Sequence, residues 1–340
     1  MATIAENIQT LRSIKSDIKN AIIQKGGSVT DAFGTYAQAI TNLPSGGGGG
    51  TEMEDALVMR TISEYSNDRV SVVGQGAFIY CSSLMSVNLP LCTYIADSVF
   101  QYCSSLTSVN FPLCQYIGNT AFNGCGALSS IDLPNCSYIG SYAFTHCTAL
   151  TSVNLPNCIS VVNNAFYSCI SLSSIDLPNC SYIGSGAFEY CSSLMLVNLP
   201  KVISLSGNTF NRCISLTSVN LPLCTSLSDN EFNKCGALSS IDLPNCLYIG
   251  FGAFSNCENL TVVKIPLCTV LDYGCIRDCP KLTQVYLNSV TSVTNMMYGN
   301  IFSNCPNLTS VYVPASLVDA FKVAPNWSSI SDKIVAYTEA

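Results

Sequence analysis

The sequence predicts an α/β repeat solenoid: one parallel sheet of about eleven short strands, preceded by a small helical segment. Three residue columns predict it. Proline recurs every 22 residues, at Pro90, Pro112, Pro134, Pro156, Pro178, Pro200, Pro222, Pro244 and Pro266. Phenylalanine keeps the same interval from Phe78 to Phe254, and cysteine from Cys81 to Cys257. An unbroken period of this length means a stack of equivalent turns, each burying its apolar side against its neighbours.

Within one turn the pattern is A-F-x-x-C-x-x-L-x-x-V-x-L-P-x-C-x-x-I. Its first copy is Ala77, Phe78, Cys81, Leu84, Val87, Leu89, Pro90, Cys92 and Ile95. Val87-Asn88-Leu89 alternates inward, outward, inward, which predicts a short strand with two core residues. Pro90 ends that strand where no ladder N–H is needed. Ala-Phe then brings the chain back across the core. Eleven copies of the strand, from Val87 to Val311, predict a sheet about 50 Å long at ~4.8 Å per strand. The octapeptide SSIDLPNC occurs three times, at 129–136, 173–180 and 239–246.

The flanks divide the chain further. Residues 1–44 predict a helical attachment or oligomerisation segment. Ile4, Ile8, Leu11, Ile18 and Ile22 form an apolar stripe, Thr3 and Glu6 a capping box, and Gly26-Gly27 a stop. The stripe is covered either within a helical hairpin or by a partner. Residues 45–51, with Gly46 to Gly50, predict a flexible linker. Residues 52–76 predict a β cap, a hairpin of Leu57-Val58-Met59 and Val70 to Val73 around the turn cluster Ser66-Asn67-Asp68. The solenoid proper covers 77–313. Its period breaks late: Ile276 stands in a phenylalanine place, Asn288 in a proline place, and four extra residues fall near Asn295–Asn300. Residues 314–340 predict a C-terminal cap with a short helix after Pro314 and the single tryptophan, Trp327.

Composition narrows the partners. Hydrophobic residues make up 48% and charged residues 10%, with a net charge of -7. Residues 77–280 carry five Lys/Arg against ten Asp/Glu, which disfavours nucleic acid and anionic membranes as partners. No stretch of 18 apolar residues is present to span a bilayer. Met1 to Asn7 lacks a basic segment followed by an apolar one, so no secretory signal is expected.

The 20 cysteines fall on two columns, eleven from Cys81 to Cys305 and eight from Cys92 to Cys268, with Cys275 alone. Val202 and Val290 take the second column's place in two turns, so the thiols are expected to act as small buried hydrophobes. Disulfides are not expected, because stacked turns lie ~4.8 Å apart and a disulfide wants Cβ atoms near ~3.8 Å. Neither a CxxC pair nor a Cys/His cluster points to a metal, and no cofactor is expected. The one histidine, His146, shares its place with Tyr80, Tyr102, Arg212 and Lys234, which marks a solvent-facing loop. Asp132, Asp176 and Asp242 share an outward column but sit two or three turns apart, ~10–15 Å. That is too far for a glycosidase pair. No catalytic constellation is found, and the protein is expected not to be an enzyme.

The A-F-x-x-C-x-x-L-x-x-V-x-L-P template resembles the BspA-type leucine-rich repeat over about residues 57–340. That resemblance implies a leucine-rich-repeat-like right-handed coil. The ending VPASLVDAFKVAPNWSSISDKIVAY is similar to the tail closing such proteins in gut bacteria and their prophages, and the opening segment resembles phage or prophage tail-associated proteins. The resemblance implies adhesion or host-factor binding, and an extracellular, cell-surface or virion-associated place.

Two function classes follow: a binding module for a protein or glycan ligand, or a structural spacer or coat with no specific ligand. The outward column reads Asn88, Asn110, Asp132, Asn154, Asp176, Asn198, Asn220, Asp242, Lys264, Tyr286, Tyr312. Most of it is a small polar ladder that solvation alone explains. At the C-terminal end Asp242, Lys264, Gln284, Tyr286 and Tyr312 bring charge and aromatic surface together, and tyrosine suits a sugar or a peptide. The sheet face at the last four strands is the expected binding site, aided by Met296–Asn300. The plainer reading has Tyr286 and Tyr312 merely covering the capped end.

Overall fold

The computed structural model describes residues 61–297 and 301–338. The expected helices of 1–44, the linker of 45–51 and the hairpin arm at 57–59 lie outside these residues. What is described is a parallel β-solenoid of about twelve turns with very little helix.

The expected ladder is present. Ser86–Asn88, Ser108–Asn110 and their successors run parallel and in register, with Val87 opposite Val109, Val197 opposite Val219 and Val263 opposite Val285. It continues past the eleven repeats at both ends. Glu64–Ser66 pairs with Ser86–Asn88, and Ile334–Ala336 with Ser310–Val313.

A second ladder runs along the stack, built from two-residue strands: Val72–Val73, Tyr94–Ile95, Tyr116–Ile117 and on to Val270–Leu271 and Asn295–Met296. Two residues are too few to show an alternation, so the sequence pattern revealed the buried isoleucine but not its strand. Part of the expected N-terminal hairpin falls on this ladder, while its other arm, 57–59, lies outside the described residues. Val72–Val73 pairs in parallel with Tyr94–Ile95, and Glu64–Ser66 joins the first ladder. Residues 64–73 therefore form one more turn of the solenoid, because turn geometry offers them two parallel partners at once.

The phenylalanines form a column through the core. Phe166 is wholly buried, with ring centroids 5.1 Å from Phe144 and 5.4 Å from Phe188 and interplanar angles of 6°. Backbone bonds follow the same column, as in Phe166 N–H to the Ala187 carbonyl at 2.8 Å. Close stacking explains Gly140, where a Cβ would come within 2.6 Å of the Gly118 backbone. The C-terminal cap contains the expected short helix, Val318–Val323. Phe321 packs edge-on to Trp327 at 4.9 Å, and Trp327 Nε1 donates to the Thr294 carbonyl at 2.7 Å.

All 20 cysteines are free and buried. They do more than fill space, which refines the expectation. First-column thiols donate to the phenylalanine carbonyl 25 residues earlier: Cys103 to Phe78 at 3.0 Å, Cys169 to Phe144 at 3.1 Å, Cys257 to Phe232 at 3.1 Å. Second-column thiols donate two residues ahead, as in Cys114 to Tyr116 at 3.3 Å and Cys246 to Tyr248 at 3.3 Å. Where valine replaces cysteine, the second ladder loses regularity. After Val202 only the isolated bridge Ser204–Ser226 remains, and after Val290 the strand is delayed to Asn295–Met296.

The first ladder is interrupted three times, and the interruptions follow a residue code. Asn110 Nδ2 donates to Asn88 Oδ1 at 2.7 Å, Asn154 to Asp132 Oδ1 at 2.8 Å, Asn198 to Asp176 Oδ1 at 2.7 Å and Asn220 to Asn198 Oδ1 at 2.7 Å. A carboxylate has no N–H to hand to the preceding asparagine, so the side-chain chain breaks before Asp132, Asp176 and Asp242, and resumes at Asp132 and Asp176 through Asn154 and Asn198. Strand pairing restarts at the same residues, and SSIDLPNC marks each seam. Val109, Val153 and Val219, just before the seams, are only half-buried, whereas Val87 and Val197 are buried.

Candidate functional site

The last strands of the first ladder, Val262–Lys264, Gln284–Tyr286, Ser310–Val313 and Ile334–Ala336, place Lys264, Tyr286, Tyr312 and Val335 in one register row. Lys264, Tyr286 and Tyr312 are each the outward residue between buried neighbours, so β alternation alone presents them together. The Tyr286 and Tyr312 rings stack at 4.6 Å with 22° between planes. Tyr337, just beyond the last strand, closes the cluster edge-on, 6.2 Å from Tyr286 and 6.4 Å from Tyr312. The Lys264 ammonium lies 5.9 Å from the Tyr286 centroid, within cation–π reach.

Gln284 ties the tyrosines together. The Tyr286 hydroxyl donates to Gln284 Oε1 at 3.2 Å, and Gln284 Nε2 donates to the Tyr312 hydroxyl at 3.5 Å. Desolvation, followed by the nearby Tyr312 and Tyr337, raises the Tyr286 phenol above its ordinary value, so it stays a neutral donor. The result is a rigid aromatic surface with hydroxyl, amide and ammonium groups at its rim, able to hold a ring face by stacking and hydroxyls by hydrogen bonds.

Four of the five expected site residues thus meet. Asp242 is exposed and opposite Lys264 in the register, but stands at the margin. Among the described residues the ion pairs are Arg277–Asp278 and Lys333–Asp332, and Asp242 joins neither. Tyr337 was missed because its place depends on the cap returning a strand to the sheet, which no 22-residue spacing announces. Of the expected contribution from Met296–Asn300, Met296 and Met297 fall within the described residues, and Met297 is exposed. Met296 is buried opposite Leu271 on the second ladder, which absorbs the extra residues by a shifted strand, and 298–300 lie outside the described residues.

Elsewhere, His146 is exposed as expected, with its ring edge-on to Tyr167 at 5.7 Å. Its place is a left-handed turn position, φ 59° at His146 and 63° at Lys234. A shallow depression near Asn259, Asp278, Lys281 and Asn304 has its donors engaged locally: Lys281 Nζ to Asn259 at 2.7 Å and Asn304 to Asp278 at 2.6 Å.

The family model described as BspA type leucine-rich repeat region matches residues 71–195, 115–235 and 225–324, and does not extend over the opening segment. No curated protein matches the chain. Among solved structures, the chain is similar to a leucine-rich repeat protein from Bacteroides ovatus, at 22% identity and TM-score 0.44, covering 82% of this chain and 85% of that one. It is also similar to a leucine-rich repeat protein from T. pallidum, at 28% identity and TM-score 0.42, covering 49% of this chain and 76% of that one. A leucine-rich cell surface protein from Faecalibacterium prausnitzii matches at 19% identity and TM-score 0.41, over 81% of this chain and 87% of that one. The family model spans most of the sequence and all of its repeats, and the chain belongs to the BspA-type leucine-rich repeat family.

Proposed function

We propose that this protein is a non-enzymatic binding or adhesion scaffold that takes a protein or glycan ligand on its sheet face, at the last strands. The observation that carries this reading is the Tyr286–Tyr312 stack with Tyr337, Gln284 and Lys264 around it, the place where the outward column departs from small polar residues. Family membership supports a binding scaffold in general terms.

The spacer reading has its own support. From Ser66 to Asn220 the outward amides largely bond to one another, which leaves them fewer groups to offer a ligand. The two readings part on a glycan and host-protein array probed with the full chain. Saturable binding to a defined glycan or protein supports the scaffold; an array with no saturable signal supports the spacer.

A further inference from the structure

On the second ladder, the outward residue of three consecutive strands is tyrosine. Tyr94 and Tyr116 stack at 4.6 Å and 5°, and Tyr116 and Tyr138 at 4.7 Å and 1°. The next strand carries Ser160, in register with Tyr138 on one side and Tyr182 on the other. One ring is therefore missing from a column whose neighbours on both sides keep theirs. Two strand steps separate Tyr138 from Tyr182, about 9.6 Å at the usual spacing, enough for one ring at the distance the stack itself uses.

We propose that this gap is a binding slot for a single neutral aromatic ring, supplied by a tyrosine or phenylalanine side chain of a protein partner. The chain's own Tyr116 shows how such a ring is held, between two others at 4.6 and 4.7 Å. The rim is apolar. Ile159 is 53% exposed beside Ser160, and Val162 stands where neighbouring turns have Gly140 and Gly184. Tyr182, flanked by Ser160 and Ser204, is 48% exposed, against 38% for Tyr94 with one stacked neighbour. No Asp, Glu, Lys or Arg occurs in this column from Val72 to Val270, so the slot has no charge with which to select an ion. It lies on the other ladder from the Tyr286 cluster and stands or falls separately.

The test is NMR of the full chain titrated with p-cresol, the tyrosine side-chain analogue, and with methyl β-glucoside. Saturable shifts of the Tyr138 and Tyr182 ring signals with p-cresol, absent with the glucoside, are expected. Ser160→Tyr should fill the slot, abolish those shifts and leave the melting midpoint equal or higher, and Tyr182→Leu should weaken p-cresol at least threefold. A midpoint several degrees lower in Ser160→Tyr overturns the proposal, because the gap then lacks the size of a ring. Shifts that survive Ser160→Tyr, or that only the glucoside produces, overturn it equally.

Discussion

Glu231 accepts the backbone N–H of Gly207, 24 residues earlier, at 2.6 Å through one carboxylate oxygen. Its other oxygen takes the Thr209 N–H at 2.9 Å. In other turns the first of these N–H groups is met by a side chain of the preceding turn, as Asn119 N–H is by Asp97 at 2.7 Å and Phe251 N–H by Asp229 at 3.0 Å. Ser185 precedes Gly207 and instead donates its hydroxyl to the Gly207 carbonyl. Glu231, in a core place that alanine holds in most turns, reaches back to supply the missing acceptor and is wholly buried.

Burial raises the Glu231 carboxyl from its ordinary 4.5 to about 7, against the opposing effect of its backbone partners. The sign for stability follows. Between those two values the folded protein holds a proton that the unfolded chain has released, so stability falls as pH rises from 4.5 towards 7. The full cost, about 3 kcal/mol at ~1.4 kcal/mol per pH unit, is present above that range. The neighbouring Cys224 thiol, raised by burial to about 11, stays outside this window. Melting midpoints of wild type and Glu231→Gln from pH 4.5 to 8 check this. The wild type should lose stability across the window relative to the variant; parallel curves would show that Glu231 does not titrate there.

Asp132→Asn should close a seam. The new amide can donate to Asn110 Oδ1 and still accept from Asn154, adding about one hydrogen bond, ~0.5–1.5 kcal/mol. Urea midpoints should rise by that amount. Hydrogen exchange gives an independent reading: the Phe111 amide, at the seam, should exchange faster than the Leu89 amide, which donates to the Asn110 carbonyl at 3.0 Å, and should slow in the variant. An unchanged midpoint with unchanged exchange would mean that the carboxylate does not cause the break.

The thiols should be unreactive until the fold opens. Burial pushes Cys103 and Cys191 up to about 12, far from the thiolate range at neutral pH. A chromogenic thiol reagent should find nearly none of the 20 cysteines in the native protein and all of them in denaturant. Rapid labelling of several native thiols would refute the ladder of buried sulfur-to-carbonyl bonds.

Most of the fold was legible because proline and phenylalanine keep the same period from Phe78 to Pro266. Val87-Asn88-Leu89 alternates and so announces its strand, whereas Tyr94-Ile95 is too short to do so. Within the expected cap of 52–76, the parallel pairing of 64–66 and 72–73 is not legible locally: Ser66-Asn67-Asp68 has the composition of a hairpin turn, while the partners that decide the pairing lie 22 residues onward. The candidate site was legible where the outward column departs from small polar residues, at Lys264, Tyr286 and Tyr312. Tyr337 was not, because it arrives from the cap. The seams were also hidden: Asp132 and Asn154 are both small polar outward residues, and only the hydrogen-bond direction between turns separates their effects.

Binding at the last strands of the sheet face is checked by one affinity comparison. Wild type, Tyr286→Ala plus Tyr312→Ala, and Asn110→Ala plus Asn154→Ala are titrated with the glycan or protein identified on the array, with melting midpoints as the control for folding. The tyrosine pair should lose about thirtyfold or more, the size of an aromatic hot spot worth ~2 kcal/mol, and the asparagine pair should bind as wild type does. Unchanged affinity in the tyrosine pair, with a loss in the asparagine pair, would place binding elsewhere on the sheet face.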